Sequence, residues 1–110
     1  SQVMSHTIVA VDVYCEEKTE THPVYRIFLD GQLVIERIFW PVRDEFFIQE
    51  QLTMENDGKP HNISMVNVSE EFGKLKVKKF KFLDAESKKK SNTNSTPDGI
   101  GAVKFTLPKR

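Results

Sequence analysis

Three histidines, a single cysteine and two strand-borne glutamates are the residues of this chain whose types suit catalysis. A catalytic centre needs a nucleophile or metal, a base, and a group that orients them. His6, His22 and His61 are far apart and sit near strand ends or turns, and no pair has metal-ligand spacing. Cys15 has no partner thiol and continues the series Val9, Val11, Val13, which reads as a small buried hydrophobe. As a nucleophile it would need an activating base beside it in space. His61, directly after Pro60, reads as a turn residue entering a strand. Glu36 and Glu50 interrupt strands. Facing one another they would resemble a glycosidase pair; the plainer reading is a solvated face, or ion pairs with Arg26 and Arg37. The five glycines are spread among turns and build no phosphate loop. The expectation is a non-enzyme with no catalytic residue, metal site or cofactor.

Two groups suit binding better. Lys74, Lys76, Lys78, Lys79 and Lys81 alternate with Leu75, Val77, Phe80 and Phe82. Lysines beside aromatics on one face would suit single-stranded nucleic acid. A strand with apolar residues inside and lysines outside explains the same pattern, and edge strands carry lysine to discourage pairing with other chains. The phase places Phe80 and Phe82 inside, away from the lysines. The second group is Glu36, Arg37, Phe39 and Trp40, before Pro41 and Val42. This strand has bulky groups on both faces, so it cannot hide all of them. An exposed Trp40 would stack on a sugar or anchor a protein interface; otherwise it caps the core at a corner.

The elements that position these residues are strands. Val9, Val11, Val13 and Cys15 share one face of Thr7–Cys15, with Ile8, Ala10, Asp12 and Tyr14 on the other, a period of two that a helix would scramble. Val24–Leu29 and Gln32–Trp40 flank Asp30-Gly31, a strong hairpin signal because both turn residues tolerate positive φ. Pro41 ends the third strand. Glu45–Glu55 follows, with Phe46, Ile48, Leu52 and Met54 on one face and Glu50 interrupting; their spacing of two argues against a short helix over Asp44–Leu52. After the turn Asn56–Pro60 comes a fifth strand, His61–Val68. In Lys74–Leu83, Leu75 and Val77 are out of phase with Phe80 and Phe82, so a β-bulge is expected near Lys78-Lys79. Asp84–Gly99 is polar and reads as a flexible loop. Ile100–Leu107 is the last strand, expected to cross and pair with an early one such as Thr7–Cys15.

The composition agrees. A chain of 110 residues with 38% hydrophobic residues and eight Phe supports one core and one domain, residues 1–110. Net charge is zero, but residues 1–73 hold five Lys/Arg against thirteen Asp/Glu, and residues 74–110 hold eleven against three. Such asymmetry marks an interaction tail, or strands of opposite charge that lie together. No apolar stretch nears the ~20 residues of a membrane-spanning helix, so no membrane partner is expected. No charged-then-apolar leader is visible, which favours a cytoplasmic or virion-associated location. Asn62-Ile63-Ser64, Asn67-Val68-Ser69 and Asn94-Ser95-Thr96 match a glycosylation pattern and read as coincidental.

The run Tyr25–Val34 with its Asp-Gly turn, the alternating strand after it, the Gly58-Lys59-Pro60-His61 turn and the Gly73-Lys74-Leu75-Lys76-Val77-Lys78 strand together resemble small jelly-roll modules. These include carbohydrate-binding modules and accessory β-sandwich proteins of tailed phages. The resemblance spans roughly residues 24–82. It implies an all-β, antiparallel, jelly-roll-like sandwich of about seven to eight strands. A cluster of acidic calcium ligands, found in some carbohydrate-binding modules, is not evident. The expected role is a non-enzymatic binding or structural module that associates with a protein or with itself. A carbohydrate partner is the second reading and nucleic acid the third.

Overall fold

The computed structural model describes residues 6–15, 22–40, 47–69, 74–83, 90–91 and 101–109. They form β1 (His6–Cys15), β2 (Val24–Leu29), β3 (Gln32–Ile38), β4 (Phe47–Glu55), β5 (Pro60–Asn67), β6 (Leu75–Leu83), β7 (Lys90–Ser91) and β8 (Ala102–Thr106). Every ladder is antiparallel. One sheet runs β4-β1-β6 and is extended by the two-residue β7; the other runs β3-β2-β5-β8. The sheets face each other as a sandwich, with Phe80 and Phe82 of one packed on Phe105 of the other at centroid distances of 5.1 and 5.9 Å.

The alternation in the sequence builds the core. Val9, Val11 and Val13 of β1 and Val77, Phe80 and Phe82 of β6 meet Tyr25, Ile27, Ile63, Met65, Val103, Phe105 and Leu107 from the opposite sheet. Each fully buried aliphatic side chain stabilises by roughly 1.5–3 kcal/mol. Cys15 is half-buried against this cluster, in line with the valine series. Asp30 and Gly31 have φ of 52° and 85°, the paired positive values that the hairpin signal requires. The expected bulge is present. Ala10 pairs with Lys81 and Asp12 with Lys78, so two residues of β6 oppose Val11, and Lys79 absorbs the misfit at φ 57°.

Some expectations are corrected. The last strand pairs with β5 and not with β1, because β4 and β6 already occupy both edges of β1. The polar stretch from Asp84 contains a short pairing, Lys90–Ser91 against Leu83 and Phe82; the rest of it lies outside the described residues. Asn62 and Asn67 belong to β5, and Asn94 lies outside the described residues. The Ser69 hydroxyl is buried and accepts the Val24 N–H at 2.8 Å, which gives that residue a structural role. On β1 the face opposite the valines is closed at its centre as well: Ala10 is 0% and Asp12 3% exposed, since a central strand is covered by its neighbours' side chains. The helix considered over Asp44–Leu52 is strand over its described part, Phe47–Leu52.

Candidate functional site

Of the two carboxylates buried among the described residues, Asp12 and Glu50, Glu50 is the one that lies between the sheets. Glu50 is on the inward face of β4, flanked by Ile48 and Leu52, and is 4% exposed. A charge there requires partners. They come from the other sheet, where Tyr25 on β2 lies directly opposite Arg37 on β3. The Tyr25 hydroxyl and the Arg37 Nε–H both donate to Glu50 Oε2, and Arg37 Nη2 donates to Oε1 at 3.0 Å. Burial, then the bond to Glu50, pushes the Tyr25 phenol far above its ordinary value. The bond to Glu50 raises Arg37 against the opposing effect of desolvation. Arg37 is also half-exposed, so the trio runs from the core to the surface. Its chemistry is that of a clip between sheets: a satisfied carboxylate, a protonated phenol and a fixed cation.

A second polar cluster joins two turns. His61, the second residue of β5, lies between the Asp-Gly turn before β3 and the Asp-Gly turn after β4. Its Nδ1 lies 2.6 Å from Asp30 Oδ2, and its Nε2 lies 3.0 Å from Asp57 Oδ2. Asp30 also accepts the Asn62 N–H at 2.8 Å, and Asp57 accepts the Lys59 N–H at 2.9 Å. Partial desolvation lowers the basicity of His61, but the bonds to Asp30 and Asp57 outweigh it and the imidazole titrates above its usual value. Desolvation tends to raise Asp30, and its bonds to His61 and Asn62 outweigh that and lower it; the Lys59 N–H and then His61 lower Asp57. Both ring nitrogens are engaged by carboxylates. Among the described residues no group of three or more His, Cys, Asp or Glu is arranged to hold a metal ion.

The outward faces carry the residues singled out for binding. Glu36 and Arg37 are neighbours on opposite faces of β3: Glu36 lies outside and takes Arg26 Nε at 2.7 Å, whereas Arg37 turns inward to Glu50. The pairing reading of these carboxylates therefore holds, and Glu36 does not face Glu50. Phe39 is in the core at 3% exposure, and Trp40 is 65% exposed, stacked on His22 at 4.2 Å. The four residues taken together as a binding group are thus split, with Glu36 and Trp40 on the outer face, Phe39 in the core, and Arg37 half-exposed but turned toward Glu50. Pro41 and Val42 lie outside the described residues. The same outer surface carries Leu33, Val34, Ile38, Val66 and Val68, each at least 42% exposed.

On the opposite side of the sandwich, Lys76, Lys78 and Lys81 of β6 lie across from Tyr14, Asp12 and Ala10 on the outer face. Lys79 is exposed at the bulge, and Lys74 is exposed just before the strand. Phe80 and Phe82 are buried, as their phase requires. The lysines nevertheless have aromatic neighbours. Tyr14 stacks on Phe47 with centroids 5.2 Å apart, and Lys78 Nζ lies 5.0 Å from the Tyr14 centroid. Sequence reading offered the ion pair of Glu50 with arginine but missed its burial and the Tyr25 bond, and it missed the Tyr14–Phe47 pair and the His61 cluster. Its signals were present: an acid at an inward position of an apolar strand, and two Asp-Gly turns with a histidine close after one of them.

Comparison with protein-family models, with curated proteins and with solved structures gives no match.

Proposed function

We propose that the domain is a non-enzymatic association module that pairs with a second copy of itself through the edge strand β3 and the apolar surface beside it. The observation that carries the reading is β3 itself. It is an edge strand on which six of the seven residues are exposed, Leu33, Val34 and Ile38 among them, and the exposed Trp40 follows it. Edges are usually blunted by charged side chains, proline or bulges. This strand has no lysine or proline, and its charges are tied up, Glu36 by Arg26 and Arg37 by Glu50, although its ladder with β2 carries one register shift. Among the described residues no strand pairs with its outer edge, and an edge of this kind with apolar side chains favours strand addition, in which main-chain bonds supply affinity. The sandwich is jelly-roll-like in this reading; what supports that is how often the chain crosses between sheets, from β1 to β2, β3 to β4, β4 to β5, β5 to β6 and β7 to β8.

Light scattering across a range of concentrations tests the proposal. The expected mass rises to that of a dimer, and Val34→Lys with Ile38→Lys returns it to a monomer while leaving the circular dichroism unchanged. A monomer at every concentration overturns it.

The exposed Trp40–His22 stack favours a second reading, a carbohydrate-binding module with Trp40 as a sugar platform beside Glu36. Trp40 is the single tryptophan, so its fluorescence reports directly. Quenching or enhancement by a glycan, saturating with concentration, would support that reading; an unchanged spectrum across a glycan panel would remove it.

A further inference from the structure

The outer face of β4-β1-β6 is chemically unlike the β3 edge. Its cations come from one strand: Lys76, Lys78 and Lys81 on the face, with Lys79 exposed beside them at the bulge. Among the described residues, none of Lys78, Lys79 and Lys81 is held in an ion pair with a carboxylate. Asp12, the carboxylate opposite Lys78, is 3% exposed and receives the Gln49 amide at 3.4 Å; it offsets one of the four lysine charges and leaves the face net positive along β6. Alternate residues on a strand lie about 6.7 Å apart, a spacing that the phosphates of an extended single strand can follow.

The aromatic and amide groups narrow the partner. Tyr14 and Phe47, both half-buried, form a stacked pair at one end of the lysine row. Gln49 and Gln51 share the same face, the Gln51 amide donating to Gln49 at 2.7 Å. Lysines alone fit any polyanion. Lysines joined to aromatic rings and carboxamides fit one that also has π-faces and hydrogen-bonding edges, which nucleobases supply and sulfated sugars do not.

We infer that this face binds single-stranded nucleic acid, with Lys76, Lys78, Lys79 and Lys81 on the phosphates and the Tyr14–Phe47 pair against the bases. Charge complementarity and the cross-strand juxtaposition of Tyr14, Phe47 and Lys78 carry the assignment. It is independent of association through β3, which lies on the other sheet.

The test is fluorescence anisotropy of labelled oligo-dT and oligo-rU against the full chain over a salt series. Binding is expected at low salt, with log K falling against log salt by about 0.7 for each phosphate neutralised. Lys76→Gln with Lys78→Gln and Lys81→Gln should flatten that slope by about 2 and abolish binding at physiological salt. Tyr14→Leu should weaken binding about tenfold while the salt slope stays the same. Unchanged circular dichroism and thermal midpoint in each variant separate these effects from misfolding. Absence of binding at low salt, or an unaltered slope in the triple variant, overturns the inference. Retention of heparin without either oligonucleotide also overturns it and assigns the face to a sulfated glycan.

Discussion

Glu50 on β4 and Arg37 on β3 belong to opposite sheets, and their side chains meet between them, with the Tyr25 hydroxyl on the same carboxylate oxygen. A polar contact in this position fixes how the sheets sit on each other, because apolar packing alone tolerates sliding. Removing the carboxylate leaves the Tyr25 hydroxyl buried without its acceptor, at a cost of about 1–3 kcal/mol. Glu50→Ala should therefore lower stability by about 2 kcal/mol in urea unfolding. Arg37→Met should cost more, about 3 kcal/mol, since it leaves the buried Glu50 carboxylate without its cation and with only the Tyr25 hydroxyl. Tyr25→Phe and Glu50→Ala should be non-additive, because each removes the same bond.

The same tyrosine predicts an alkaline limit. Its folded phenol ionises far above the ordinary 10.0, so folding stability is fully present below pH 10 and is lost as the unfolded chain begins to ionise above it. The expected slope is about 1.4 kcal/mol per pH unit. Urea midpoints between pH 9 and 11 measure it, and Tyr25→Phe should flatten the curve by one proton's worth.

His61 sets a different window. Its folded pKa lies above 6.5, so its contribution is present below pH 6.5 and declines as pH rises through the folded value. Asp30 and Asp57 are both lowered from 3.8, so theirs is present above that value and declines as pH falls through their folded pKa values. The cluster is therefore most stabilising between about pH 4 and 6.5. His61→Gln should remove the excess of stability at pH 5.5 over pH 8.5 in thermal melts.

The bulge offers a test of register. Lys79 has φ 57°, which costs an L-residue about 1 kcal/mol that glycine avoids. Lys79→Gly should raise stability by roughly 0.5 kcal/mol once the larger unfolded-state entropy of glycine is subtracted. Deleting Lys79 should leave the domain folded, because it removes the extra residue and puts Leu75, Val77, Phe80 and Phe82 in one period-two series facing the core, with Phe80 alone opposite Val11. Circular dichroism and urea midpoints of both variants check this; loss of β-signal in the deletion would show that the register is not set in this way.

Gly101 is the last position at which a small change should be costly. Its φ is 126°, and a Cβ there would lie 2.9 Å from the Met65 carbonyl oxygen, where the backbone bond Met65 N–H to Gly101 O is made at 2.6 Å. Gly101→Ala should destabilise by about 2 kcal/mol and loosen the β5–β8 pairing. Hydrogen exchange at the β8 amides would show it.

The strands were legible in the sequence because their signals are local. Period-two alternation assigns Val9, Val11 and Val13 to one face whatever strand lies alongside, and Asp30-Gly31 defines its turn from its own φ preferences. Even the bulge followed from the phase slip between Val77 and Phe80. Tertiary structure alone decided the neighbours. That β8 lies on β5, that Glu50 meets residues 25 and 13 positions away, and that His61 reaches Asp30 across 31 positions all depend on how the sheets close. The same holds for the surfaces. Sequence placed the lysines outside and the phenylalanines of that strand inside; only pairing with β1 and β4 brought Tyr14 and Phe47 beside them. It also divided Glu36, Arg37, Phe39 and Trp40 between two faces. A side chain's direction follows from its own strand, but its partners follow from contacts between strands remote in sequence, and no local pattern encodes those.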